Sequence, residues 1–282
     1  MFELPRPEPF RTARPPLVVA SAQIRFPLIA RLQTLAGVAQ FQDRVAEFLP
    51  YMEQVHQQQI LLSAGPLGMP TSPTSEQIVA WKFTNDQGWI LSLEPGRATL
   101  SVDTRYTTGQ DFRVNWRRVL EALGTAPVAV PRCDWISVRY VNIIDFPPEA
   151  SGPWLTWLQP QLTGLLGATM FLDQTMVRAS VTQTHLINTL NQPDPLQGLF
   201  RYGFLPQGTQ VAFEPLSPPL QMPGTGFLMD TDLFIEGHQP FQVDRLLEQH
   251  DFLHAQQETF FLWALTSEGR EHFGVETNER SA

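Results

Sequence analysis

Two aspartates, Asp230 and Asp232, sit one residue apart in the apolar stretch from Phe227 to Ile235. In a strand, side chains two positions apart share a face, so this pair could present two carboxylates to one Mg²⁺ for phosphoryl or nucleotidyl chemistry. His250, His254 and Glu258 recur at spacings of four. On a helix that spacing puts two imidazoles and a carboxylate on one face, a zinc-like donor set. Each pattern has a plainer explanation. The favoured reading of the acids is pairing with Arg25, Arg139 or Arg178 on neighbouring strands. The histidines lack the H-E-x-x-H arrangement, and Val243, Leu246, Leu247, Leu253, Phe260 and Ala264 claim the adjoining stripe. The single cysteine, Cys133, has no activating neighbour beyond Arg132 and reads as a small hydrophobe. The chain has neither a G-x-S-x-G elbow nor a Walker-type phosphate loop. The reading assigns no catalytic residue, no metal ligand and no cofactor.

The elements that would hold these residues are legible from periodicity. Trp135 to Phe146 is rich in β-branched and aromatic residues and apolar on both alternating faces, as expected of a central strand. Arg139 interrupts it, and a charge in such a place requires a carboxylate partner such as Asp103, Asp230 or Asp232. The same need falls on Arg25 in the first strand, Pro16 to Pro27. Val38 to Gln57 carries apolar residues at helical spacing. Ile78 to Phe83, Trp89 to Leu93 and Ala98 to Val102 form a meander with turns at Asn85 to Gly88 and Glu94 to Arg97. A helix follows, with Asp111 as its N-cap and Gly124 at its end. Beyond the central strand, the pattern predicts a helix over Trp154 to Leu166, strands over Met176 to Leu190, Gln210 to Leu216 and Phe227 to Ile235, and a helix over Val243 to Leu265.

Written as letters, both halves read β-α-β-β-β-α. The expected fold is therefore α+β: two tandem repeats, residues 16–133 and 134–282 behind an extended arm at 1–15, with antiparallel sheets covered by helices about a pseudo-twofold. Ile24-Arg25-Phe26 matches Val138-Arg139-Tyr140, and Val102-Asp103-Thr104 matches Met229-Asp230-Thr231.

The composition narrows the function classes. A formal net charge of −9 with one lysine, Lys82, argues against nucleic acid, whose binding rests on clustered cations. No apolar run reaches the ~20 residues of a membrane helix, the N-terminus lacks a secretory signal, and one cysteine excludes an internal disulfide. The expected location is cytoplasmic. Three long Pro/Gly segments, Leu61 to Ser75, Asn191 to Gln207 and Ser217 to Gly226, carry apolar residues at polar tips: Leu67, Met69, Leu199, Phe200, Leu220 and Met222. Such loops suggest a partner-binding surface.

The Pro-Leu-Val start leading to Ile24-Arg25-Phe26, Trp81 to Phe83, the block Val138-Arg139-Tyr140-Val141-Asn142, and Leu253-His254 followed by Phe261 and Thr266 resemble a sporadically distributed, uncharacterised bacterial protein family. The resemblance covers almost the whole chain and brings no active site. It implies genes that move between genomes, such as defence or toxin-neutralising modules. The expectation is a non-catalytic cytosolic protein-binding or adaptor component; the alternative is a metal-dependent phosphohydrolase or nucleotidyl-type enzyme using Asp230 and Asp232. The partner is another protein, and self-association stays open.

Overall fold

The computed structural model describes residues 10–60, 63–64, 70–71, 74–145, 154–164, 180–187, 196–211, 220–222 and 224–277. Its centre is one antiparallel sheet of nine strands: β1 (Leu17–Arg25), β2 (Tyr51–Ile60), β3 (Thr74–Thr84), β4 (Trp89–Glu94), β5 (Arg97–Val102), β6 (Arg132–Asp145), β7 (Ser180–Ile187), β8 (Leu196–Leu205) and β9 (Gly226–Pro240). Across the sheet the order is β7-β8-β9-β6-β1-β5-β4-β3-β2. Its helices are α1 (Leu35–Val45), α2 (Gly109–Gly124), α3 (Trp154–Trp157), α4 (Pro160–Thr163), α5 (Val243–Ala264) and α6 (Ser267–Phe273).

The stretch apolar on both alternating faces is the middle strand, β6, paired with β9 on one side and β1 on the other. Its Ile136 and Val138 join Ala20, Ala22 and Ile24 of β1, Leu233 and Ile235 of β9, and Phe200 of β8 in one core. Phe41 of α1, Phe112, Trp116 and Leu120 of α2, and Leu246, Leu247 and Leu253 of α5 pack into that same core. It runs through both halves of the chain without a break. On the opposite face, Val19, Val141, Ile143, Leu205, Leu228 and Met222 make a smaller cluster.

The meander falls on β3, β4 and β5 as its alternation and turns require. Helix α2 is capped by Thr108, whose hydroxyl accepts from the Asp111 amide at 3.0 Å, while the Asp111 carboxylate accepts from the hydroxyls of Thr107 and Thr108. The cap is thus Thr108, with Asp111 in the first turn. Of the extended arm, Phe10–Thr12 pairs with Val275–Thr277, so the start of the described chain is tied to its end.

Four expected elements differ. The helix read over Val38 to Gln57 stops at Val45, and Tyr51–Ile60 is strand β2. Tyr51, Glu53 and Val55 are exposed while Met52 and Gln54 are half-buried, an alternation that a helical count from Met52 to Val55 conceals. The helix read from Trp154 breaks at Pro160, which starts α4. Asn191 to Gln207, read as irregular, contains strand β8 over Leu196–Leu205. Its glycines caused the misreading. Gly198 lies under Phe200 and Leu233, and Gly203, at φ +155°, backs so closely onto the Ser180 carbonyl that a Cβ would sit 1.7 Å from its oxygen. The strand read over Gln210 to Leu216 is, where described, a two-residue ladder of Gln210–Val211 with Leu220–Gln221.

Gly203 therefore fixes the approach of β7 to β8. Gly203→Ala is expected to lower stability by more than ~1 kcal/mol, because both the φ and the contact oppose a side chain. Gly208→Ala, at φ +79° with open space around it, should cost about 1 kcal/mol or less. Chemical denaturation of the two variants checks the order.

Candidate functional site

The sheet face away from the helices brings together part of the charged set anticipated from sequence. Asp230 of β9 lies opposite Val141 of β6 and Arg201 of β8. Its carboxylate is 4% exposed and accepts from Arg139 in two bonds, Nε to Oδ1 at 2.7 Å and Nη2 to Oδ2 at 2.9 Å. Arg201 Nη1 donates to Oδ2 at 3.0 Å and its Nε to Gln183 Oε1 at 3.1 Å, carrying the network out to β7. One carboxylate thus holds two guanidiniums, the planar forks that suit it. Burial disfavours the charge on Arg139, but Asp230 outweighs it and raises the Arg139 pKa.

Asp232, directly across from Arg139, behaves differently. Burial pushes its carboxyl up to about 6, against the pull of Arg139 and a hydrogen bond from Ser137. Its Oδ1 is buried without a hydrogen-bond partner among the described residues. With Asp230 already held by two arginines, the pair does not present two free carboxylates to a divalent ion. Among the described residues, no three His, Cys, Asp or Glu side chains converge as metal ligands.

Two anticipated members lie elsewhere. Asp103 pairs with Arg105 at 2.5 Å in the turn after β5. Arg25 lies over the Trp135 ring, 4.4 Å from its centroid, so among the described residues it meets an aromatic face and not an acid. Arg178 lies outside the described residues.

The histidine series sits on α5 against the helix-side face of β6. The Tyr140 hydroxyl is hydrogen-bonded to His254 Nδ1 at 2.7 Å, the Tyr106 and Tyr140 oxygens are 3.3 Å apart, and Glu258 Oε1 is 3.4 Å from His254 Nε2. His250 stacks on Phe112 and contacts Asp251, which Arg113 holds in turn. Burial, and then His250, lowers the His254 pKa to about 4, while burial raises Glu258 to about 7. Gly109 backs onto the ring so closely that a Cβ would lie 2.4 Å from Nε2. One residue before Glu258, Gln257 donates to the carbonyls of Val138 and Thr231 at 2.7 and 2.9 Å. These contacts tie α5 to the central strands. Cys133 is buried, its thiol pushed up to about 12 by burial, which leaves no thiolate nucleophile at neutral pH.

The residues expected at loop tips are dispersed. Leu199 and Phe200 belong to β8, with Phe200 in the core, because the segment is a strand. Met222 is buried beneath the sheet with Leu205 and Leu228. Leu220 is exposed. Leu67 and Met69 lie outside the described residues. A surface that the sequence did not flag is the outer strand β7, which bears exposed Val181, Leu186 and Ile187 (56, 39 and 53%). Beside it Gln161, Leu162, Thr184, Leu186, Phe200, Tyr202, Phe260 and Trp263 line a cleft of about 290 Å³ between the strands, α4 and α5. Comparison with protein-family models and with curated proteins finds no match to this chain.

The ion network predicts a ranking. Asp230→Asn leaves two guanidiniums without their carboxylate and should cost ~3–5 kcal/mol. Arg201→Gln, which removes a partly exposed partner and leaves Arg139 in place, should cost ~0–1 kcal/mol. Urea unfolding of both variants tests this. A pH series gives a separate check. Because Glu258 has a folded pKa above its unfolded value, its contribution is fully present below about pH 4 and is lost as pH rises toward about 7. Glu258→Gln should therefore gain stability relative to wild type between those limits; a parallel pair of curves would contradict it.

Proposed function

We propose that the chain is a non-catalytic cytosolic protein-binding or adaptor component whose partner is another protein. The observation that carries this reading is the exposed outer strand β7. Among the described residues β8 is its one neighbour, and its sequence, Ser-Val-Thr-Gln-Thr-His-Leu-Ile, has no proline, acid, lysine or arginine. Proteins commonly guard such edges with charges, proline or bulges, since an unpaired ladder templates association. Of the residues expected at loop tips, Phe200 and Met222 are spent on the interior.

The reading retains the bacterial family resemblance and, with it, a place in a defence or toxin-neutralising module. It also takes the fold as two tandem repeats about a pseudo-twofold, residues 16–133 and 134–282. The strand order supports this, since β5, β4 and β3 follow β1 outward as β9, β8 and β7 follow β6. Gln23 faces Ser137 across the antiparallel β1–β6 junction, where superposing Arg25 on Arg139 would put an axis. That superposition carries the pair Ala22 and Leu100 onto Ile136 and Ile235, whereas matching Asp103 to Asp230 would carry Leu100 onto Phe227. Of the two residue matches, the repeat reading therefore keeps that of the arginines and drops that of the aspartates. The enzyme alternative, with Asp230 and Asp232 around a metal, is disfavoured by the two arginines already on Asp230.

Affinity capture from the native cytosol compares wild type with the double variant Val181→Lys, Ile187→Lys. A protein retained by the wild type and lost from the variant, with unchanged melting, is the expected result. Capture that persists in the variant, or a nucleotide turnover abolished by Asp230→Ala, would contradict it.

A further inference from the structure

We infer that the occupant of this edge is an extended segment of a partner protein, uncharged and bearing an aromatic residue on its helix-facing side, which adds antiparallel to β7 as a tenth strand. The inference rests on the protein-binding reading above and specifies what is bound. Four features of the molecule converge on it.

The first is the ladder itself. An outer strand offers a row of backbone donors and acceptors that another strand satisfies best, whereas a helix or a compact surface cannot. The second is the contrast between the two ends of the sheet. At the far end β2 carries an exposed Glu53, a charge of the kind that discourages further pairing. Strand β7 has no acid, lysine or arginine. The third is the count of strands on each side of the β1–β6 junction. Beyond β3 lies one more strand, β2, running antiparallel to it; beyond β7 the described series stops. Among the described residues the same place is thus filled at one end and open at the other, and β2 gives the direction in which its occupant would run.

The cleft supplies the side-chain preference. Thr184 and Leu186 of β7 and Phe200 and Tyr202 of β8 form its floor, with Leu162, Phe260 and Trp263 as walls. Phe200 and Phe260 are 4.8 Å apart, Phe260 and Trp263 5.5 Å, and Trp263 is 41% exposed. A strand added ~4.8 Å beyond β7 turns every second side chain to this face, within reach of Thr184 and Leu186. At about 290 Å³ the cleft is at the lower limit of small-molecule pockets (~300–1,000 Å³) and suits one aromatic side chain better than a cofactor. Among the described residues no charged side chain lines it, so a charged anchor would lose hydration without a described partner.

The test uses the full chain and a fluorescent peptide, Thr-Val-Thr-Phe-Thr-Val-Thr between terminal lysines, followed by anisotropy and by amide exchange. Saturable binding is expected, weakened about tenfold or more by replacing the peptide's phenylalanine with alanine, by N-methylating its alternate amides, and by Thr184→Trp, which fills the cleft floor. Alternate β7 amides should exchange fast in the free protein and slowly with peptide. Binding indifferent to N-methylation would overturn strand addition. So would β7 amides already protected in a free monomer, which means that the chain covers its own edge, or a dimer through β7 that the peptide does not dissociate. If capture from cytosol depends on Val181 and Ile187 but the peptide does not bind, the protein-binding reading stands and this inference falls. If capture is indifferent to those residues, the broader reading fails on its own terms.

Discussion

The structure depends on β6 being buried on both faces and paired on both edges. A strand in that position must be apolar in both registers, and any polar group on it must find a partner inside the sheet. Ile136 and Val138 meet this on the helix side and Val141 and Ile143 on the other. Arg139 meets it through Asp230. The pairing partner β1 then joins the first half of the chain to the second in one hydrogen-bonded sheet, and α5, reaching β6 through Gln257, closes the helix layer over the same place.

From this constraint the division of labour follows. Residues able to do chemistry cluster near the middle of the sheet, and there they are taken up by structure. Asp230 holds two arginines, His254 and Tyr140 hold each other, and Gln257 bridges two strands. Apart from Asp232 Oδ1, free valence among the described residues appears at the outer strand, where β7 pairs with one described neighbour and exposes apolar side chains next to a cleft. Binding at a periphery, with most polar groups of the centre committed to structure, is the physical picture that the proposed function draws on.

Much of this was legible in the sequence because it is local. The alternation of Trp135 to Phe146, the meander with its turns, and the long apolar stripe of α5 each carry their own signal. The demand that Arg139 find an acid was legible as well, since it follows from one charge within an apolar strand. The choice of Asp230 over Asp103 was not, because it depends on register between strands 91 residues apart in the chain. Strand β8 was hidden by Gly198 and Gly203, whose role is close approach rather than turning. With β8 hidden, Arg201 and the cleft behind Phe200 were hidden too. Strand β2 was obscured because a short alternating segment after a proline resembles the tail of a helix.

If β6 unites the two halves in one core, the chain should unfold as one unit. Scanning calorimetry of the full chain tests this most directly. The account predicts a single transition whose calorimetric and van't Hoff enthalpies agree. Two resolved transitions, one moved by Arg139→Met and the other by a substitution such as Phe83→Ala in the first half, would contradict it.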